Sequence, residues 1–364
     1  MQIDFHHGVT YTVARLAGFA HRDAETIAYC SQYVDDATNS GAIQFDNDAM
    51  YSRISSAHKM LDYRNFHKLA NHFVWIPFHF LPGNGGVKSG ENPEGSFVEK
   101  IICRPNSYIA QNMVRLCIED RDALYGLHRL GVTMHVYADT WAHQGFVGII
   151  HNVNNIRSLD DNDQPDAGFW GKLKDFFGDA FDEAAGKFVG DALPLGHGAA
   201  LSYPDRPYLK WNYEDCHGNI VRRDNTKDFS EAANEMCKAM QRYRVGDPEA
   251  NVPGLPVNDR DKIADMLSSI TDEGGHDRHR KWLRAIHNGY FSFPSVKLEY
   301  QAKGTGSWKH QTLGTRKIKD KKSDIFPYDP SFLSSDWKLF HDALQAHRLI
   351  VIRDILPLYG ICAA

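Results

Sequence analysis

The segment Leu127-His-Arg-Leu-Gly-Val-Thr-Met-His-Val-Tyr-Ala-Asp-Thr-Trp-Ala-His143 sets His135, Asp139 and His143 at positions i, i+4 and i+8. At about 100° per residue the three fall within roughly 80° of one another on a single helix face, about 6 Å apart along the axis. His128, seven residues earlier, lies on the same stripe. The flanking Val132, Met134, Val136, Ala138 and Ala142 are apolar, so the stripe faces a protein interior or a cleft. A buried column of imidazoles and a carboxylate is costly unless every member is paired. A hydrogen-bond network would pair it, and so would a divalent metal, for which N/O ligands at i and i+4 are a known helical grip. The chain holds 19 histidines, many beside aspartates, and that excess favours the metal.

One helix offers too few directions to close a coordination sphere, so other segments must contribute. Asp4-Phe5-His6-His7 opens the first predicted helix, where the positive helix end disfavours a charged imidazole but not a neutral ligating one. Asp35 and Asp36 end the second helix, against the negative end of its dipole, where a cation would relieve them. His58 follows in Ser56-Ala-His-Lys-Met60, and His197 sits between Gly196 and Gly198, small neighbours that admit a close approach. Asp205 could complete or orient that site, and Arg206 beside it could clamp an anionic oxygen.

Taken in chain order, these residues resemble the zinc-dependent phospholipase C and single-strand-specific nuclease superfamily. Within it the chain is most similar to an uncharacterised bacterial group with a D-F-H helix, Y-V-D-D-A-T, S-A-H-K-M and H-V-Y-A-D-T-W-A-H, here at 4–6, 33–38, 56–60 and 135–143. The resemblance covers roughly residues 1–215. It implies a multi-helix domain gathering up to three zinc ions. Asp36 or Asp35, His58, His135 and Asp139 would hold one; His143, His197 and Asp205 a second; His6, with Asp139 bridging, a third. The family's mature chain opens with a tryptophan whose amine and carbonyl bind metal. Here the chain reads Met1-Gln2-Ile3-Asp4, so either Asp4 substitutes or the third ion is absent. The implied activity is hydrolysis of a phosphoester, in a phospholipid headgroup or a nucleotide, by a metal-activated water with Asp35 or Asp36 as general base. For a mixed His/Asp set, iron or manganese could replace zinc. Two other classes stay open: a metal-stabilised binding protein without catalysis, and a membrane-acting lipase-type toxin or effector. An HD-type phosphohydrolase would need a His-Asp pair in the motif segments, and those pairs occur only at 276–277 and 341–342.

Across 364 residues, the 42% apolar content excludes wholesale disorder, and 41 basic against 46 acidic residues leave −5, no global field for a nucleic-acid backbone. Six scattered cysteines without a C-x-x-C pair argue against thiolate zinc or a disulfide scaffold. The opening residues lack the regions of a secretory leader, which predicts a cytoplasmic chain unless export needs none.

The predicted fold is mainly α, a helical metal-binding core at 1–245 and a less regular extension at 246–364. Helical periodicity marks two helices in the first 40 residues, then 49–72, 107–119, 122–146, 229–244, 259–271, 277–288 and 336–356. Val74–Pro82 reads as an extended apolar stretch and 83–86 as a plain glycine loop. An insertion at 152–195 comprises an acidic linker and an amphipathic helix at 169–189, a candidate for peripheral membrane contact. Residues 194–215 read as a fixed loop, and 289–335 as mixed with a short strand pair and the basic run Arg316–Lys322. Trp75, Phe78, Tyr137 and Trp141 are candidate walls for a substituent of the substrate.

Overall fold

A computed structural model describes residues 1–58, 68–161, 195–321 and 323–362. The fold is mainly α. The first helix, α1, starts as a π-type turn at Asp4–Val9 and continues as Thr10–Leu16, and α2 spans His21–Asp36. There follow α3 (Lys68–Phe78), α4 (Phe97–Ile101), α5 (Tyr108–Glu119) and α6 (Gly126–Ala142). Beyond residue 220 come α7 (Asn225–Val245), α8 (Val257–Ser269), α9 (Gly275–His287), α10 (Trp308–Leu313) and α11 (Asp336–Leu349).

Helix α6 is the hub. Nearly all of its residues are buried, with α2, α5, α7 and α11 packed around it, as its apolar flanks require. Tyr137 and Trp141 belong to the main core and Phe78 to a second one, Tyr137 also lining a cleft with Asn106 and Arg242 away from the α6 histidines; Trp75 packs against His79 and Phe80.

Among the described residues two small sheets flank the bundle, and of the short strand pair expected within 289–335 only Ile325–Phe326 forms a strand. Strands β1 (Gly41–Phe45), β2 (Met50–Arg53) and β6 (Ile325–Phe326) form one, in the order β2-β1-β6, with Gln44 opposite both Met50 and Ile325. Strands β3 (Arg157–Asp161), β4 (Lys210–Glu214) and β5 (Ile220–Asp224) form the other. Thus residues 50–53 are strand rather than helix, part of the expected linker after 152 is strand, and the expected loop at 194–215 ends as β4. The stretch 74–82 departs the other way. Its first half is the last turns of α3, with Pro77 as the helix's penultimate residue, and a short buried apolar run suits helix or strand equally. The amphipathic segment 169–189 lies outside the described residues. Among the described residues no helix is long and apolar enough to cross a membrane.

Helix α11 ties the C-terminal part to the end of α3: His347 Nε2–H donates to Pro77 O at 3.0 Å, and Phe78 stacks on its ring. Burial, with Arg129 adding to it, lowers His347 to about 3; burial and then Arg53 do the same to His341. Both folded values lie below the ordinary 6.5, so below that pH the unfolded chain binds the extra protons and stability is lost as pH falls towards 3. At pH 5 each site alone costs about 2 kcal/mol relative to pH 8. Urea midpoints measured from pH 8 to 4 will therefore fall steeply below 6.5. In His347→Gln, which keeps a donor for Pro77, the slope will be shallower by about one proton.

Candidate metal centre

The site is built where α2 and α6 touch. A Cβ on Gly131 would lie 2.5 Å from Ile27 O and from Cys30 Cβ, so only glycine allows this approach. One turn further along, Ser31 O accepts from His135 Nδ1 at 2.7 Å. At the other end of α6, Arg223 donates to Trp141 O and Ala142 O, satisfying final-turn carbonyls and steadying His143 at the C-cap. The π turn of α1 brings His6 against the α6 stripe, ring stacked on His135 with 3.8 Å between centroids, while the next residue, His7, points to His279 of α9 at 2.9 Å. His79, just past α3, enters from the opposite side.

Backbone carbonyls accept only, so each imidazole bound to one has a defined tautomer. His135 Nδ1, His143 Nδ1 and His197 Nδ1 donate to Ser31 O, His79 O and Leu201 O, and His79 Nε2 donates to Ser56 O, all within 2.9 Å. The lone pair of each ring therefore lies on its other nitrogen, and those nitrogens converge on carboxylates. His135 Nε2 and His79 Nδ1 face each other at 3.2 Å, lie 3.3 and 3.4 Å from Asp139 Oδ2, and 3.8 and 3.9 Å from Asp35 Oδ1. His143 Nε2 and His197 Nε2 each lie 3.6 Å from an oxygen of Asp205. Acceptors pointed at acceptors repel unless a cation lies between them. Ligand atoms about 2.1 Å from a tetrahedral ion are roughly 3.4 Å from one another, which matches these separations.

Among the described residues three donor groups result: His6, Asp35 and His135; His79, His135 and Asp139; His143, His197 and Asp205. Neither ring nitrogen of the fully buried His6 completes a hydrogen bond, although Nε2 is 3.3 Å from Asp139 Oδ1. The Met1 ammonium lies among them, 2.8 Å from Asp139 Oδ1 and 3.1 Å from Asp205 Oδ1, a positive charge held between the groups. Burial opposes that charge, but Asp139, Asp205 and Asp35 outweigh it and raise the amine to about 11.

Burial, together with its neighbours, holds His135 well below the usual histidine range. His6 and His197 fall to about 4, where burial outweighs Asp139 and Asp205 respectively. These rings are neutral at pH 7, the state in which imidazole ligates. Asp139 is driven the other way: burial raises it, but His143, the amine, His135 and His6 together hold it far below the usual carboxylate range. Burial and then Asp139 push Asp35 well up. Asp35 and His197, 32% and 18% exposed, mark the open side of the cluster.

The expected residues His6, Asp35, His135, Asp139, His143, His197 and Asp205 thus come together. Others do not. Asp4 turns away to a buried ion pair with Arg278, 2.6 Å, so the amine of Met1, not the Asp4 carboxylate, reaches the cluster from the chain's start. Asp36 accepts from Tyr300 Oη and Gln32 Nε2 and joins no donor group; Asp35 is the carboxylate turned inward. His58 is buried beside Trp75 and also joins none; His79 stands where His58 was expected. His128 of the α6 stripe pairs with Asp336 instead. Arg206 donates to Ser202 Oγ and Glu273 Oε1. His79 itself was missed, although a single imidazole between Phe78 and Phe80 in an apolar run is a polar group that needs a partner.

One family, a family of unknown function (DUF6765), matches residues 1–355. The chain belongs to it. The DUF6765 match takes in every member of the cluster together with α9 and α11, whose residues brace it. No curated protein and no solved structure matches the chain.

Proposed function

We propose that this DUF6765 protein is a metal-dependent hydrolase of phosphoester bonds, holding two or three divalent cations, zinc foremost. One observation carries the reading: four imidazoles locked by backbone carbonyls, all presenting lone pairs to Asp35, Asp139 and Asp205 at ligand-to-ligand spacing. Carbonyl partners behind metal-binding histidines fix orientation in just this way.

His79, His135 and Asp139 would hold one ion and His143, His197 and Asp205 a second. His6, beside Asp139 and His135, would offer a third place. Divalent ions there would lower the pKa of a bound water towards neutrality and polarise a phosphoryl oxygen. The protein's own part is to position and to move protons. Asp35, the most exposed carboxylate of the cluster and the one whose proton affinity is raised, is placed to orient the attacking water and accept its proton. Arg206 is held by the largely exposed Glu273, a partner that a phosphoryl oxygen can displace in favour of a bidentate contact.

Protein purified without chelator will carry at least two divalent ions per chain by elemental analysis. It will cleave a chromogenic phosphodiester or a short-chain phospholipid headgroup, lose that turnover in chelator and regain it with zinc. Stoichiometric metal without turnover on either ester would leave a closed structural site and remove the hydrolase reading.

A further inference from the structure

The run Arg316-Lys-Ile-Lys-Asp-Lys321 contains one acid, and the fold withdraws it. Asp320 is 3% exposed and receives both Arg53 of β2 and Lys309 of α10, while Lys309 Nζ also donates to Lys317 O. The loop is pinned from beneath. Its outer side is left with exposed Arg316, Lys317, Lys319 and Lys321 around Ile318, which is 61% exposed. Asp324 pairs with Lys317 and caps the turn at Lys321 N. The strand that follows turns Ile325 outward, 60% exposed, on the same sheet face as Gln44 and Met50, itself 67% exposed. Ile318 shares a cleft with Thr38 and Asp36, so the loop stands beside the end of α2 that carries Asp35.

From this we infer that the 316–321 loop, with Ile325 and Met50 beside it, docks the protein on an anionic lipid surface. A cationic cluster around exposed aliphatic side chains is complementary to acidic headgroups over acyl chains. The run offers no aromatic ring on which a base could stack, which disfavours single-stranded nucleic acid. With a net charge of −5 the rest of the protein is repelled, so contact through this loop orients the metal centre's side of α2 towards the headgroups. The inference rests on the proposed function only for what the docked enzyme would cleave, not for the docking.

Full-length protein is cosedimented with vesicles of phosphatidylcholine alone or with added phosphatidylglycerol, at low and high salt. Expected is retention on the anionic vesicles alone, weakening as salt rises. Lys319→Glu/Lys321→Glu should reduce it about tenfold or more, and Ile318→Ser by a few-fold, with metal content and thermal midpoint unchanged. Equal retention on neutral vesicles, undiminished retention in either variant, or loop-dependent binding to a single-stranded oligonucleotide with none to vesicles overturns the inference. Retention is read without turnover, so docking and hydrolysis fail separately.

Discussion

Asp139→Asn will cost the protein bound metal, turnover and heat resistance together. Among the described residues, Asp139 alone of the carboxylates lies within 3.6 Å of His6, His79, His135 and His143, and it also holds the Met1 ammonium. An amide of the same shape keeps the volume and loses the charge. Metal content should fall by one equivalent or more, and phosphoester turnover by at least about a thousandfold. Because metal-binding free energy is partly folding free energy, the thermal midpoint of metal-loaded protein should drop by roughly 5–10 °C. In excess chelator most of that gap should close. A gap of equal size with and without chelator would mean that Asp139 serves only a hydrogen-bond network.

Gly131→Val tests the same centre from a distance, touching no donor atom. The added side chain meets Ile27 O and Cys30 Cβ, backbone and packed side chain that cannot both give way, so α2 and α6 must separate. Overpacking of this kind costs about 3 kcal/mol or more. The larger consequence is chemical. Ser31 O withdraws from His135 Nδ1, the ring is no longer held in one tautomer, and metal affinity should fall about ten- to a hundredfold. Urea unfolding and competitive metal titration report the two effects independently. Unchanged metal affinity in a destabilised variant would show that the carbonyl behind His135 is dispensable.

Much of the α-helical frame and part of the site are legible in the residues. The i, i+4, i+8 column on α6, the aspartates ending α2 and the histidine at the start of α1 each carry local signals, because helical spacing alone decides which side chains share a face. That step separates His6, His135, Asp139 and His143 from the polar surface before any tertiary contact is considered. The choice between neighbours is not local. Asp35 over Asp36, His79 over His58 and the Met1 amine over Asp4 follow from partners outside each segment: Tyr300 and Arg278, more than 260 residues away, take Asp36 and Asp4, and Ser56 O, 23 residues away, turns His79 inward.

The short strands escaped for the same reason. β2 lacks a clear alternating pattern, and β4 alternates over only the five residues Lys210–Glu214, too short a run to stand out; both exist through pairing, β1 with β2 and with the distant β6, β4 with β5. Periodicity within one segment thus determined a helical protein with a column of imidazoles and a carboxylate on one helix face. Which donors meet was decided only when the helices packed, because hydrogen-bond tautomers, buried ion pairs and the α2–α6 approach at Gly131 are relations between segments that no single stretch of chain contains.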